Sequence, residues 1–284
     1  MISALNKQTD GTLELTVTVT KKRVAEAYQK DLKQLAKETE LKGFRKGKAP
    51  LKKVEEKIGK TKIYEEVLKS LIPEIYVEAV KEQKIKPIIN PQISVVSLEE
   101  NKDWQIKATT CELPEIKLGQ YEEAIKKALV SEKIWVPGKD QEEKPAEQES
   151  ERLNKIFQTL IKTVSLQIPE LLIQEEINRM LSRLIDQTGR LGLTVEQYLA
   201  SIGKTSDQIR QEYRQQAEEA LKLELILSAI ADKEKIQITD AEVQNMIKAA
   251  PDAETKKAMD TPAQQAYLRQ LLRKRKVIDK LSKL

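Results

Sequence analysis

The sequence contains no histidine, one cysteine and only two phenylalanines among its 284 residues. Without histidine, catalysis by an imidazole group is impossible, and zinc sites made of histidine and cysteine clusters are effectively excluded. The single cysteine, Cys111, cannot form a disulfide within the chain, and its place in a strand-like segment predicts an inert thiol in a sheet. We therefore expect no metal site and no disulfide framework.

Long apolar runs are also missing. No stretch approaches the ~20 apolar residues that a membrane-spanning helix needs, and residues 1–7 lack an apolar run of signal-peptide length. The sequence therefore predicts a cytoplasmic protein that makes no use of a membrane. A glycine-rich phosphate loop of the Walker type is absent as well, so an ATP-driven cycle has no support and we expect no cofactor.

The positive charge of the chain is concentrated in one place. Hydrophobic residues make up 39% of the sequence and charged residues 33%, with a net charge of +5. Residues 41–62 carry nine lysines and arginines against two glutamates, a local net charge of +7, so the remainder sums to −2. Such a patch indicates a polyanionic partner, either RNA or an acidic surface. The alternative is a lysine-rich helix face that only meets water.

The pattern of residues 1–117 predicts an α+β domain, in which a long helical hairpin covers one face of an antiparallel sheet. Leucine and valine alternate with polar residues after the Asp10-Gly11 turn, as in a half-buried strand. Pro73 lies inside a helical pattern and predicts a kink or a break near Leu71. The predicted elements are a hairpin over 1–20, helices over 22–40, 51–58 and 61–83, and strands over 92–98 and 103–113.

The rest of the chain predicts a polar linker and then an all-α domain, so we expect a multi-domain, elongated protein. Residues 118–150 predict a helix over 121–130 and then a polar linker or mobile hairpin. Residues 151–284 carry helical periodicity throughout, with capping boxes at Thr194–Gln197 and Thr239–Glu242. In the last helix, which begins at Thr261-Pro262, the pattern places four residues inside: Tyr267, Leu271, Ile278 and Leu281. It places four basic residues mostly on a solvated face: Arg269, Arg273, Arg275 and Lys276.

One stretch of the first domain fits no helix or strand. It is Gly43-Phe44-Arg45-Lys46-Gly47-Lys48-Ala49-Pro50, with two glycines and a proline that exclude a regular helix. Three cations surround Phe44. If its ring stays in water, the folded protein goes without the roughly 1.5–3 kcal/mol of stabilisation that burial of the ring would give. Either the ring folds back onto the helices, or the stretch is a docking loop with an apolar anchor inside a collar of charge.

This octapeptide resembles the ribosome-docking signature of trigger factor, a family of bacterial chaperones that meet nascent chains at the ribosomal tunnel exit. It matches the family pattern G-F-R-x-G-K-x-P in full, at the predicted tip of a helical hairpin. The similarity continues through Tyr64-Glu65-Glu66-Val67 and Lys84-Ile85-Lys86-Pro87 to Glu112-Leu113-Pro114-Glu115. The second half resembles the helical chaperone domain of the family less specifically, in three stretches: Ile168-Pro169-Glu170-Leu171-Leu172-Ile173, Tyr198-Leu199 and Ile230-Ala231-Asp232-Lys233-Glu234.

The resemblance implies a ribosome-associated, ATP-independent chaperone that holds nascent or unfolded polypeptides. Residues 1–117 would bind the ribosome through a ribosomal protein and rRNA, and residues 151–284 would hold clients. Two copies would self-associate away from the ribosome. The implied ribosome-binding residues are Gly43, Phe44, Arg45, Lys46, Gly47, Lys48 and Pro50, supported by a basic patch of Lys42, Lys52 and Lys53.

The sequence departs from the family between these two regions. A typical trigger factor carries a prolyl-isomerase domain there, whereas residues 118–150 are fewer than the ~50 that a domain needs and have a hydrophilic centre. We therefore expect no isomerase domain and no catalytic residues. Two alternatives remain open from the sequence, namely an RNA-binding protein that uses the patch at 41–62 and a general holdase that never uses the ribosome.

Overall fold

The computed structural model describes residues 2–41, 43–45, 47–130 and 145–284. These residues form two compact units. The first, called unit 1, comprises Met1–Leu113 and Pro169–Leu172, and the second, called unit 2, comprises Pro114–Ile168 and Ile173–Leu284.

Unit 1 is built on a four-stranded antiparallel sheet with the strand order β1-β2-β4-β3. In β2, alternate residues from Leu13 to Val19 are buried, and their neighbours are threonines and a glutamate. Because successive side chains of a strand point to opposite faces, this alternation puts one apolar face under the helices. The strands are β1 (Ile2–Lys7), β2 (Thr12–Val19), β3 (Gln92–Ser97) and β4 (Trp104–Cys111).

Three helices complete unit 1, namely α1 (Lys21–Glu38), α2 (Leu51–Ile58) and α3 (Lys60–Gln83). The longest, α3, buries a residue at every fourth position and packs them into the same core as the inward face of the sheet. These residues are Ile63, Val67, Leu71, Ile75 and Ala79. The α+β architecture predicted from the sequence is therefore confirmed.

The predicted break in the third helix is wrong, whereas the alternative of a kink near Leu71 stays a prediction. The helix runs from Lys60 to Gln83 with Pro73 inside it. Proline removes one backbone hydrogen bond from a helix, but Pro73 is exposed, while Leu71 and Ile75 on either side of it are buried in the core. We attribute the continuity of the helix to this packing.

Unit 2 consists of helices in the part that the structure describes, apart from one isolated antiparallel bridge between Lys117 and Ser165. Its largest core joins apolar residues of four helices around Tyr121, Ile156, Ile226 and Val277. The helices are α4 (Tyr121–Val130), α5 (Pro145–Thr163), α6 (Glu170–Arg190), α7 (Val195–Ser201), α8 (Ser206–Lys233), α9 (Asp240–Lys248), α10 (Ala253–Met259) and α11 (Pro262–Leu281).

The boundaries of these helices follow local sequence signals in most places. Thr194 and Thr239 form the predicted capping boxes, and Thr205 forms a third one at the start of α8. The helix predicted over 121–130 is present as α4, whereas α5 begins at Pro145 rather than at Glu151. The remaining part of the predicted linker, residues 131–144, lies outside the described residues.

The predicted inner face of the last helix is wrong in its first half. Tyr267 is 61% exposed and Leu271 is 41% exposed, whereas Leu268 and Val277 are buried. Leu268 packs with Val243 of α9, and Val277 joins the largest core of unit 2. Contacts with two different helices therefore set the buried face of α11, and the periodicity of α11 alone does not reveal them.

Three of the four basic residues of α11 form ion pairs, although the sequence placed them mostly on a solvated face. Arg269 pairs with Asp240 at 2.6 Å, and Arg273 pairs with Asp232 at 2.6 Å. Lys276 Nζ lies 2.6 Å from a carboxylate oxygen of Glu242. These pairs connect α11 to the end of α8 and to α9.

The Glu242 carboxylate predicts a pH dependence for unit 2. Its hydrogen bonds with Lys276 and with the Thr239 backbone N–H lower its pKa from 4.5 to about 2. A carboxyl group with a lowered pKa stabilises the folded state while it is ionised. We expect Glu242→Gln to lower the free energy of unfolding above pH 4.5, and the difference from the parent protein to vanish as the pH falls towards 2.

Urea unfolding of the parent and of Glu242→Gln at pH 6 and at pH 3 measures this difference. A matched control is Glu151→Gln, because Glu151 is exposed and makes no ion pair in the described part of the chain. A difference for Glu242→Gln that is the same at both pH values would contradict the prediction.

Candidate docking loop

The docking loop, residues 43–50, connects α1 to α2 and is shaped by two glycines. Gly43 has a φ of +86° and Gly47 a φ of +77°, values that favour glycine because a Cβ would be strained there. The Phe44 N–H donates to the Leu41 carbonyl at 3.0 Å, and the Lys48 N–H donates to the Arg45 carbonyl at 2.9 Å. The two glycines thus permit two successive tight turns.

Contacts with α1, α2 and the residues beside the docking loop anchor it within unit 1. The α-carbon of Lys37 is so near to Gly47 that a Cβ there would lie 3.6 Å from it. The side chain of Lys57 donates to the Glu40 carbonyl. At the far end, the Pro50 carbonyl accepts hydrogen bonds from the backbones of Lys53 and Val54 and begins α2. Together, these contacts hold the loop in a defined position.

Phe44 is partly covered and keeps an accessible part of its ring. Its side chain is 37% exposed and does not belong to the set that packs on the core of unit 1, whereas its neighbours Leu41, Ala49 and Leu51 do. The Lys53 ammonium lies 5.2 Å from the centroid of the Phe44 ring. Such a contact contributes about 0.5–1 kcal/mol at an exposed site, so the ring is oriented and still accessible.

The basic side chains around Phe44 are largely uncompensated. Arg45, Lys48 and Lys52 are exposed and make no ion pair with any residue that the structure describes. The nearby Glu55 accepts a hydrogen bond from the Tyr28 hydroxyl at 2.8 Å. The loop and the first turn of α2 therefore present net positive charge around an apolar ring.

The structure brings most of the predicted site residues together. Gly43, Phe44, Arg45, Gly47, Lys48 and Pro50 lie in the loop, and Lys52 and Lys53 lie in the first turn of α2. The predicted site residues Lys42 and Lys46 lie outside the described residues. The contact of Lys53 with Phe44 and the approach of Lys37 to Gly47 were not predicted, because both depend on the relative placement of α1, α2 and the loop.

Other kinds of site find no support in the same described ranges. No group of three or more cysteine, aspartate or glutamate side chains there could hold a metal ion. None of the helices in those ranges is long and apolar enough to cross a membrane. Cys111 is buried, and burial raises the pKa of its thiol to about 11.

Backbone φ angles predict opposite effects of one chemical change at two glycines. We expect Gly43→Ala to destabilise unit 1 by about 1–2 kcal/mol, because an L-residue is strained in the left-handed region. Gly189 lies in α6 without a positive φ, and a Cβ added there would have no atom within 4 Å of it. Gly189→Ala should therefore stabilise unit 2 by about 0.5–1 kcal/mol.

Urea unfolding of both variants measures whether the free energy of unfolding falls for Gly43→Ala and rises for Gly189→Ala. If Gly43→Ala were neutral or stabilising, the assigned loop conformation would be wrong.

Comparison with protein families gives two matches that together cover nearly the whole chain. Residues 1–143 match the family described as "Bacterial trigger factor protein (TF)". Residues 138–283 match the family described as "Bacterial trigger factor protein (TF) C-terminus". Each match covers half of the chain or more.

Individual relatives are similar over a shorter region. The trigger factor of Lactiplantibacillus plantarum is 39% identical over 110 residues, which are 39% of this chain and 25% of the relative. The trigger factor of Staphylococcus carnosus is 40% identical over 107 residues, 38% of this chain and 24% of the relative. The matched region thus spans about a quarter of the length of these curated relatives.

The fold is similar to that of a solved chain from a structure described as "Promiscuous Substrate Recognition in Folding and Assembly Activities of the Trigger Factor Chaperone". The TM-score is 0.70, and the alignment covers 100% of this chain and 99% of the solved one at 15% identity. At this identity, the similarity concerns the fold alone.

Proposed function

The chain belongs to the bacterial trigger factor family, and on that premise we propose that it is a cytoplasmic, ribosome-associated chaperone that holds nascent or unfolded polypeptides without ATP. The observation that carries the proposal is the docking loop, in which an accessible phenylalanine is surrounded by cations without ion-pair partners among the described residues. Folding alone gives no reason for this arrangement, whereas a partner with an apolar crevice and negative charge does.

Docking would use two kinds of contact. Phe44 would enter an apolar crevice of a ribosomal protein, and full burial of such a ring is worth about 1.5–3 kcal/mol. Arg45 would form a forked pair with a carboxylate or phosphate, while Lys46 and Lys48 would supply charge towards rRNA. Lys42, Lys52 and Lys53 would extend this charge. Because part of the binding is counterion release, it should weaken as the salt concentration rises.

Client holding would fall to unit 2, which exposes large apolar side chains over a short segment. The segment runs from the second half of α6 to Ile202, just after α7, and Leu191 within it is 70% exposed. A few separate apolar contacts of this kind bind many sequences weakly and release them without nucleotide hydrolysis. The exposed residues are Ile185, Leu191, Leu193 and Ile202.

The proposed chaperone would have no prolyl-isomerase activity. The two family matches overlap at residues 138–143, and α4 and α5 already occupy residues on both sides of 131–144. The fourteen residues of that interval are far fewer than the ~50 that a domain needs. Away from the ribosome, two copies would associate with each other.

The docking loop predicts the outcome of a ribosome-binding experiment. In the triple variant Phe44→Ala/Arg45→Ala/Lys46→Ala, we expect the affinity for ribosomes to fall by at least about thirtyfold, because truncation of one interface hot spot costs about 2 kcal/mol or more. Co-sedimentation with purified ribosomes measures this loss, and circular dichroism checks that the fold is retained.

A matched control removes the same groups elsewhere. Lys248→Ala/Lys257→Ala/Tyr267→Ala also removes two cations and one exposed aromatic ring, but from α9, α10 and α11. This control should co-sediment like the parent. Undiminished co-sedimentation of the docking variant would contradict the proposal, and tight binding of the parent to protein-free structured RNA would favour the RNA-binding alternative instead.

The absence of isomerase activity is tested separately. In a protease-coupled assay with a prolyl peptide, we expect the cis-to-trans rate to stay at its uncatalysed value, with an immunophilin-type isomerase as the positive control. The physical reason is that residues 131–144 are too few to form an isomerase domain. Turnover that scales with the concentration of the protein would disprove this part of the proposal.

A further inference from the structure

Unit 1 contains a recess that lies apart from the docking loop. It has a volume of ≈ 520 Å³ and is bounded by the N-terminal half of α1, the start of α3 and the turn between β3 and β4. None of the described residues of the docking loop lines it. Ligand pockets commonly measure about 300–1,000 Å³, so this recess has room for one large side chain and its neighbours.

The floor of the recess is aromatic and held in place from below. The ring centroids of Tyr28 and Tyr64 are 5.1 Å apart, and Tyr64 meets the buried Trp104 edge to face at 5.5 Å. The Tyr28 hydroxyl donates to Glu55, whereas the Tyr64 hydroxyl has no hydrogen-bond partner among the described residues. Burial raises the pKa of Tyr64, so its hydroxyl stays protonated and can donate a hydrogen bond to a ligand.

The rim of the recess carries uncompensated positive charge. Lys60 pairs with Glu100 at 2.6 Å, and Lys102 pairs with Glu99. The Lys21 and Lys22 ammonium groups make no ion pair within the described ranges. Of the two carboxylates that line the recess, Glu100 is thus paired, whereas Glu55 accepts a hydrogen bond from the neutral Tyr28 hydroxyl and keeps its negative charge. The two unpaired ammonium groups of Lys21 and Lys22 outnumber this one carboxylate. The charge left for a ligand is therefore positive.

We propose that this recess is a second peptide-binding site, which takes a short extended segment with an aromatic or large aliphatic residue followed by carboxylates. The apolar side chain would pack on the rings of Tyr28 and Tyr64. The carboxylates would accept hydrogen bonds from Lys21, Lys22 and the Tyr64 hydroxyl. An inorganic anion would leave the aromatic floor uncovered, and a purely apolar segment would leave the two ammonium groups unpaired.

This site goes beyond ribosome docking and client holding by unit 2. It gives unit 1 a polypeptide ligand of its own, recognised by charge as well as by apolar contact. The recess and the docking loop share no residue, so substitutions can disrupt either surface and leave the residues of the other unchanged.

Fluorescence anisotropy with the full chain tests the ligand chemistry. The probe is a labelled nine-residue peptide of glycine and serine with a central phenylalanine followed by two aspartates. Two comparison peptides replace the aspartates by lysines or the phenylalanine by alanine. We expect the probe to bind at least about tenfold more tightly than either, a difference of about 1.4 kcal/mol. Equal binding of the three peptides, or no binding of the probe, would overturn the proposal.

Variants of the protein test the place of binding. Lys21→Gln/Lys22→Gln should weaken binding of the probe about tenfold, and Tyr64→Phe should weaken it about two- to tenfold, because it keeps the ring and loses one hydrogen bond. The matched control Lys33→Gln/Lys81→Gln removes two exposed cations of unit 1 outside the recess and should bind like the parent.

Co-sedimentation with ribosomes separates this site from the docking loop. Lys21→Gln/Lys22→Gln should co-sediment with ribosomes like the parent while it loses the probe peptide. An equal loss of the probe in the Lys33→Gln/Lys81→Gln control would show a diffuse charge effect and overturn the proposed site.

Discussion

The burial of one face of α3 against the sheet is the interaction on which the two proposed recognition surfaces of unit 1 depend. Five buried residues of α3, from Ile63 to Ala79, pack into the same core as alternate residues of β2 and β4. The same core takes Leu41 and Leu51, which flank the docking loop, and Tyr64, which forms part of the recess floor. This core therefore places both the basic loop and the aromatic recess.

The docking loop carries a free-energy cost in the isolated protein, and this cost supports the proposed role of the loop in docking. The Phe44 ring is 37% exposed and so forgoes part of the roughly 1.5–3 kcal/mol that full burial would give, and its contact with Lys53 contributes only about 0.5–1 kcal/mol. The neighbouring cations repel one another, because Arg45, Lys48 and Lys52 have no ion-pair partner in the part of the chain that the structure describes. A partner that buries the ring and supplies negative charge would remove both costs at once, and their removal would add to the affinity of the proposed complex.

The sequence predicted best what local chemistry determines and predicted worst what tertiary contacts determine. The alternation after Asp10-Gly11 is sufficient for β2, and the threonine and glutamate of a capping box are sufficient for the start of α9. In α11, however, apolar residues lie at 267, 268, 271 and 272, so two adjacent faces are equally apolar and only the positions of α8 and α9 decide between them.

The docking loop shows the same division, because its glycine-dependent turns follow from the sequence, whereas the placement of Lys53 over Phe44 depends on the direction of α2. The recess was not predicted for the same reason, since its walls come from segments far apart in the chain.

The two proposed polypeptide sites differ in how they would discriminate between clients. The exposed leucines and isoleucines between residues 185 and 202 offer apolar area without direction, and such contacts accept almost any apolar segment. The recess on unit 1 combines a fixed aromatic floor with the ammonium groups of Lys21 and Lys22 and would therefore reject basic segments, which would place like charges together. Each proposed site alone would supply only a few kcal/mol, so every single contact would remain weak enough to break without nucleotide hydrolysis.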